Sequence, residues 1–269
     1  MAAAVLGLTL QAGSASADIF KPSVQDQIKL GQSAAAEVRK EERVLPDSDP
    51  RVRLIRRIGQ RLVSLIPQSE RDKKPFQYSF DVINSKEINA FALPGGPIFF
   101  YTGLLDNLCT EDQVAGVLAH ELAHIRSEHW ASAYADNQKR QLGLTVILML
   151  LQANDTAFDI ASVSDALLFQ LPYSRSHESE ADKSGFNLLT KAGWNPQGMV
   201  DVFTLLKEKG GSARTAEWLS THPDSTRRIN NIKKWITDSP TNFPAQTKLS
   251  TSVMTRNYLS SRRALPIFR

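Results

Sequence analysis

Cysteine is almost missing from this 269-residue chain, with Cys109 standing alone. A single thiol closes no intrachain disulfide and builds no Cys-rich zinc finger, so the expected place for Cys109 is that of a small buried residue. Long apolar runs are missing as well. No stretch reaches the ~18 consecutive apolar residues of a membrane span. Leu142 to Leu151 comes closest, and its length suits either a buried helix or one that touches a membrane surface. Lys and Arg are nowhere interleaved with aromatics. The net charge of +4 and pI near 9.2 therefore describe a mildly basic surface with no support for a nucleic-acid partner. Internal repeats and low-complexity linkers are absent too, which makes one domain over residues 18–269 the expectation.

The N-terminus lacks the basic start of a secretory signal. Ala2 to Leu10 is nevertheless apolar, and Ala15-Ser16-Ala17 before Asp18 fits a small-residue cleavage site. Residues 1–17 read as a signal-peptide remnant, which implies a periplasmic or otherwise exported protein, with peripheral membrane contact left open.

What is present is a globular composition, 42% hydrophobic and 22% charged, enough for a core. Helical spacing runs through Ser23 to Arg43 and again from Pro50 to Ile66, the second opening at Asp49-Pro50. The period then becomes two. Phe76, Tyr78, Phe80 and Val82 alternate as a half-buried strand, Ile88 to Leu93 is a second candidate, and Ile98 to Thr102 a third beyond the Pro94-Gly95-Gly96-Pro97 turn. Thr110 to Gln113 has the form of a capping box, and the rest is helical: Asn137 to Leu151, Ala157 to Leu171, Ser176 to Lys191, one starting at Asn195-Pro196, and Pro223 to Ile236. The fold class expected from these elements is α+β, mostly helical, with one small three- to four-stranded sheet.

The helix after Thr110 carries His120-Glu121-Leu122-Ala123-His124. Two imidazoles at i and i+4 lie about 40° apart and reach one ion. Glu121, on the shoulder of that face, can take a proton from an attacking water. The five-residue pattern alone arises by chance in roughly one chain of this length in a hundred. Val114, Leu118, Leu122 and Ile125 form the apolar face away from the two histidines, and Gly116 on the histidine side leaves room for another element.

A hydrolytic zinc takes three protein ligands and an open position. His129 would lie about 180° round a continuous helix from His120 and reads as a core or helix-end histidine. A metzincin would need a third His where Trp130 stands. Glu178 and Asp182, at i and i+4 of a separate helix, suit a ligand and a carboxylate that accepts the N–H of a ligating imidazole. A solvated acidic face is the competing reading of that pair. Glu180 falls on the other side, toward solvent, and His177 points off the Glu178 face.

The sequence HExxH followed by a distant ExxxD, with Asn89 to Gly96, Ile98 to Leu105, Tyr173-Ser174-Arg175 and His222-Pro223 followed by Arg228, resembles the family-48 gluzincin metallopeptidases. HtpX, the CAAX prenyl endopeptidases, the Oma-type proteases and BepA are members. Gly31-Gln32 and Asp49-Pro50 resemble the soluble periplasmic BepA-like branch, although no helical-repeat domain follows. The likeness runs from about Ser23 to Ile236. It implies a zincin-like fold with the small sheet beside the active-site helix, one zinc held by His120, His124 and Glu178, Glu121 as general base and acid, Asp182 behind the ligands, and His222 and Arg228 lining the cleft, His222 either as a donor to the developing oxyanion or as a fourth zinc ligand at rest.

The activity so implied is zinc-dependent endoproteolysis of unfolded or misassembled proteins, with the Ile98 to Thr102 strand as a sheet edge that pairs with an extended substrate. Cell-envelope quality control follows by analogy. The alternative is a zinc-stabilised chaperone or adaptor that holds clients on the same edge without cutting them. Glu121 separates the two, since a pure binder needs no base. Substrate preference, regulators and oligomeric state are not legible at this level.

Overall fold

The computed structural model describes residues 20–151, 172–209, 216–223, 225–250 and 252–253. The leader at residues 1–17 and the helix expected from Ala157 to Leu171 lie outside them, as do the side-chain surroundings of Leu142 to Leu151. Helix α1 (Val24–Glu41) opens on a reciprocal capping box between Ser23 and Asp26. Helix α2 (Pro50–Ser64) opens on the Asp49 carboxylate, which accepts the Arg51 N–H at 2.9 Å. Its stripe of Val52, Ile55, Ile58 and Leu62 is fully buried, each side chain contributing ~1.5–3 kcal/mol relative to exposure. A short α3 (Gln68–Lys73) leads into the sheet.

Strands β1 (Ser79–Ile83), β2 (Ala90–Ala92) and β3 (Pro97–Tyr101) form one sheet in the order β1-β3-β2. β3 runs parallel to β1 and antiparallel to β2. The third strand is therefore central, not an edge as expected, and among the described strands β2 is the outer one on that side. Alternation along β3 divides two cores. Ile98 and Phe100 join Val52, Ile55 and Leu104 on one face, while Phe99 and Tyr101 join Ala34, Ala35 and Val38 of α1 on the other. Both faces are covered, so β3 is buried throughout and the first strand is less half-exposed than its alternation implied. In the turn between β2 and β3, Gly95 sits at φ 78°, and a Cβ there would come 2.4 Å from the Ile28 Cα. No other residue fits.

Helix α4 (Thr102–Leu105) leads to α5 (Glu111–Arg126), capped reciprocally by Thr110 and Gln113. Every residue from Val114 to Ile125 is buried, so the single apolar face read from the sequence was too narrow. The reason is position: α5 is packed against α2, β2, α7 (Arg175–Lys191) and α8 (Gln197–Lys209). A Cβ on Gly185 of α7 would meet the Ala119 carbonyl at 3.1 Å, so the absence of one lets the two helices approach closely. Gly116 lies against Met199 of α8, as its place on the histidine side foreshadowed. Asp112, itself buried, accepts the N–H of Asn195 at 2.7 Å and of Thr247 at 2.6 Å, tying the start of α8 and a C-terminal segment to α5.

α5 stops at Ser127, and Glu128 turns left-handed at φ 54°. Helix α6 (His129–Leu151) starts directly afterwards, earlier than the Asn137 expected. Helices α9 (Ala216–Thr221) and α10 (Ser225–Thr237) complete the described chain. Among the described residues no helix is long and apolar enough to cross a membrane. Cys109 is half-buried, less enclosed than expected.

Candidate metal centre and active site

One turn of α5 brings the Nε2 atoms of His120 and His124 to 3.0 Å from each other. Their other ring nitrogens are engaged. His120 Nδ1 lies 3.1 Å from Asp182 Oδ1, and His124 Nδ1 lies 3.0 Å from His129 Nδ1. Both ligand histidines thus turn an Nε2 lone pair toward the same point. α7, started by Ser174 Oγ accepting the His177 N–H at 3.1 Å, carries Glu178 to that point. Its carboxylate oxygens stand 3.6 Å from His120 Nε2 and 3.3 Å from His124 Nε2.

His222 arrives from the end of α9. Its ring stacks on Trp218 at 4.8 Å, and its Nδ1 lies 3.3 Å from the Trp218 carbonyl, leaving Nε2 free to face the other three. One ligand atom from each of His120, His124, Glu178 and His222 can be chosen so that all lie within 4.8 Å of one another.

Three observations say that this group fits a divalent metal. Ligands of a tetrahedral zinc at about 2.0–2.1 Å stand about 3.3 Å apart, close to the 3.0, 3.3 and 3.6 Å found here. Glu178 Oε1 and His222 Nε2 are buried without a hydrogen-bond partner, a costly condition that an ion would relieve. The charges also match. Glu121, Glu178 and Asp182 are three carboxyls buried with a single guanidinium, that of Arg228, all at 3% exposure or less. Fully ionised, they leave two negative charges for a dication to balance.

Titration behaviour follows from that burial. Burial raises Glu178 well above the usual carboxylate range against the pull of Arg228, and raises Glu121 to about 8. Burial would also raise Asp182, but the charge of Arg228 and hydrogen bonds from His120 and Arg228 hold it below the ordinary value. Burial lowers His120, His124 and His222, so the ligand imidazoles are neutral at pH 7 and ready to bind a metal. Glu121 Oε1 is 3.7 Å from His222 Nε2, and the Ala92 N–H of β2 donates to the Glu121 carboxylate.

That contact shows how the sheet meets the site. Leu93 N–H donates to Pro97 at 2.8 Å and Tyr101 N–H to Asn89 at 3.0 Å. By alternation, residues 89, 91 and 93 spend their backbone on β3, and Ala90, fully buried, and Ala92, half-buried, turn theirs toward α5.

Several expected placements change. Arg228 is 3% exposed and, with Arg175, Glu178 and Pro223, lines a small pocket beside the ligand group. It donates to both Asp182 oxygens at 2.8 Å, approaches Glu178 Oε2 at 2.5 Å, and lies over the Phe203 ring. Asp182 and Glu178 are buried, which removes the solvated acidic face as an account of them. His129 is not behind the helix, because α5 ends before it and the reading from a continuous helix does not apply. His177 stacks on His129 at 4.6 Å, and Glu180, mostly exposed as expected, nonetheless lies 3.5 Å from His129 Nε2. Tyr173, known from sequence only as part of a resemblance, stacks on His124 at 4.0 Å. Trp218 was missed altogether, since a lone aromatic in a short helix carries no pattern.

Comparison with known proteins gives a consistent result. Peptidase family M48 matches residues 51–236. The Mitochondrial metalloendopeptidase OMA1 of Schizosaccharomyces pombe is 30% identical over 237 residues, covering 86% of this chain and 65% of that protein. The Arabidopsis thaliana protein of the same name is 36% identical over 147 residues, 55% of this chain and 29% of its own length. The Beta-barrel assembly-enhancing protease of Escherichia coli is 30% identical over 204 residues, 70% of this chain and 41% of its own. This chain thus spans less than two thirds of each of these relatives. A crystal structure of S. mikatae Ste24p aligns with 75% of this chain and 55% of its own at 17% identity and a TM-score of 0.46, too loose a likeness to carry an argument.

Proposed function

Because this chain belongs to Peptidase family M48, and because His120, His124, Glu178 and His222 converge in a buried group beside Glu121, we propose that it is a zinc-dependent endopeptidase. The convergence of those four side chains is the observation that carries the reading. Zinc, when bound by His120, His124 and Glu178, supplies Lewis-acid polarisation and lowers the pKa of water.

The chain's own residues do the rest. Glu121 takes the proton of the attacking water and returns it to the leaving amine, and burial, which raises its carboxyl, makes it a stronger base than a solvated carboxylate. Asp182 orients His120 through Nδ1, and Arg228 holds Asp182. At the β2 edge, where Ala92 is half-buried, backbone pairing holds an extended substrate, a mode that reads few side chains and favours unfolded segments. His222, with Nε2 aimed among the ligand atoms, would help to hold the zinc at rest and would give way to substrate.

Unfolded or misassembled proteins are the substrate class that backbone pairing favours. One relative's name speaks of beta-barrel assembly, which supports an exported, envelope setting; the mitochondrial names of others make cell fractionation the check on location. The central test is cleavage of casein or another unfolded protein with and without chelator, alongside zinc stoichiometry. Cleavage that persists in metal-free protein would end this reading.

A further inference from the structure

Glu128 interrupts the helix that carries the two ligand histidines, and the interruption has a chemical result. Its φ of 54° is a left-handed conformation that a long side chain adopts only when its surroundings impose it. Here they do: the carboxylate is held by Lys74 Nζ at 2.8 Å, Gln27 Nε2 at 2.8 Å and Lys21 Nζ at 3.7 Å. On an unbroken helix His129 would stand about 140° round from His124. The break instead sets the two rings edge to face at 4.9 Å, with their Nδ1 atoms 3.0 Å apart.

His129 is itself held in place. It is 2% exposed, His177 stacks on it at 4.6 Å, and its Nε2 lies 3.5 Å from Glu180 Oε2. The other Glu180 oxygen accepts from Ser127 Oγ at 2.7 Å. A hydrogen bond between two Nδ1 atoms has one donor. A histidine that binds metal through Nε2 carries its proton on Nδ1, so His124 donates, His129 accepts, and the His129 proton sits on Nε2, toward Glu180.

We propose that His129 is a positioning residue for the metal centre, fixing the tautomer and ring orientation of His124 as Asp182 does for His120. Glu180, 3.5 Å beyond His129 Nε2 and mostly exposed, makes no hydrogen bond to it, so the link ends at His129. The proposal rests on the metal-centre reading above and adds to it a residue outside the HExxH and ExxxD motifs.

The test compares His129→Asn with His129→Leu, which have nearly the same shape but differ in an acceptor near the original Nδ1. Zinc affinity is measured by competition with a chromophoric chelator, and the melting of each metal-free variant reports folding. The leucine variant should bind zinc about 10–100-fold more weakly than wild type, the usual cost of losing such a partner, and the asparagine variant should stay close to wild type. Independently of folding in either variant, nitrogen-15 spectra of the zinc-loaded wild type should show protonated Nδ1 on His124 and unprotonated Nδ1 on His129. A folded leucine variant with wild-type affinity, equal losses in both variants, or a proton on His129 Nδ1 would each overturn the proposal. In those cases wild type still binds one zinc. A wild type that binds none overturns the metal centre itself, and the proposal with it.

Discussion

Arg228 grips Asp182 through two hydrogen bonds of 2.8 Å and reaches Glu178 with its remaining terminal nitrogen, so one buried guanidinium braces both carboxylates of α7. Asp182 in turn touches His120 Nδ1. The ligand set is therefore tied to α10, although no ligand lies on that helix.

Arg228→Met should strip the compensating charge from Asp182 and Glu178 and cost ~3–5 kcal/mol, the range for breaking a buried ion pair. Denaturant titration of the metal-free protein measures it. Arg228→Lys should recover only part, because an ammonium cannot make the two-pronged contact. A methionine variant as stable as wild type would mean that the brace contributes nothing.

Glu178→Ala should drop bound zinc well below one per chain, while Glu180→Ala, whose side chain is 60% exposed, should leave the stoichiometry near wild type. Metal analysis of the dialysed proteins decides. The reverse result would show that the wrong face of α7 has been assigned to the metal.

Glu121→Gln should keep zinc and fold but slow peptide hydrolysis by at least roughly 10²-fold, the lower end of a positioned base's contribution. Client binding should survive, because strand pairing at the β2 edge uses backbone and not the Glu121 carboxylate. Unaltered cleavage by the glutamine variant, with contaminating protease excluded, would remove Glu121 from the mechanism.

His222→Ala should raise basal peptidase activity or self-cleavage, because the imidazole aimed among the ligands no longer fills the fourth position. Zinc-edge absorption should lose one nitrogen ligand at about 2.0–2.1 Å. A fall in kcat by roughly 10²-fold with unchanged ligation would instead assign His222 to oxyanion stabilisation.

The metal-free protein should lose stability as pH rises from about 6.5 to about 8. Glu178 and Glu121 have folded pKa values raised from 4.5, Glu121 to about 8. Their contribution is present below 4.5 and lost as pH climbs through the folded values. His120, His124 and His222 are lowered from 6.5, so theirs is complete above 6.5 and lost on acidification. Only the carboxyl slope remains above 6.5. Zinc displaces the Glu178 proton, so its affinity should rise with pH and the zinc-loaded protein should melt with a flatter profile. Melting scans of both forms from pH 6 to 9 test the sign.

Local chemistry determined much of this protein from sequence alone. The i, i+4 spacings of His120 with His124 and Glu178 with Asp182 follow from helix pitch, and the capping residues Asp49 and Thr110 mark helix starts by unsatisfied N–H groups. Tertiary structure decided what no local period encodes. β3 is central because β2 folds back outside it, which makes β2 the outer strand on that side. His129 stands beside His124 because Lys74, Gln27 and Lys21, distant in sequence, hold Glu128 in a left-handed turn. Arg228 turned inward because three buried carboxyls need positive charge, and burial is set by the packing of several helices at once, which the pattern along any one of them does not contain.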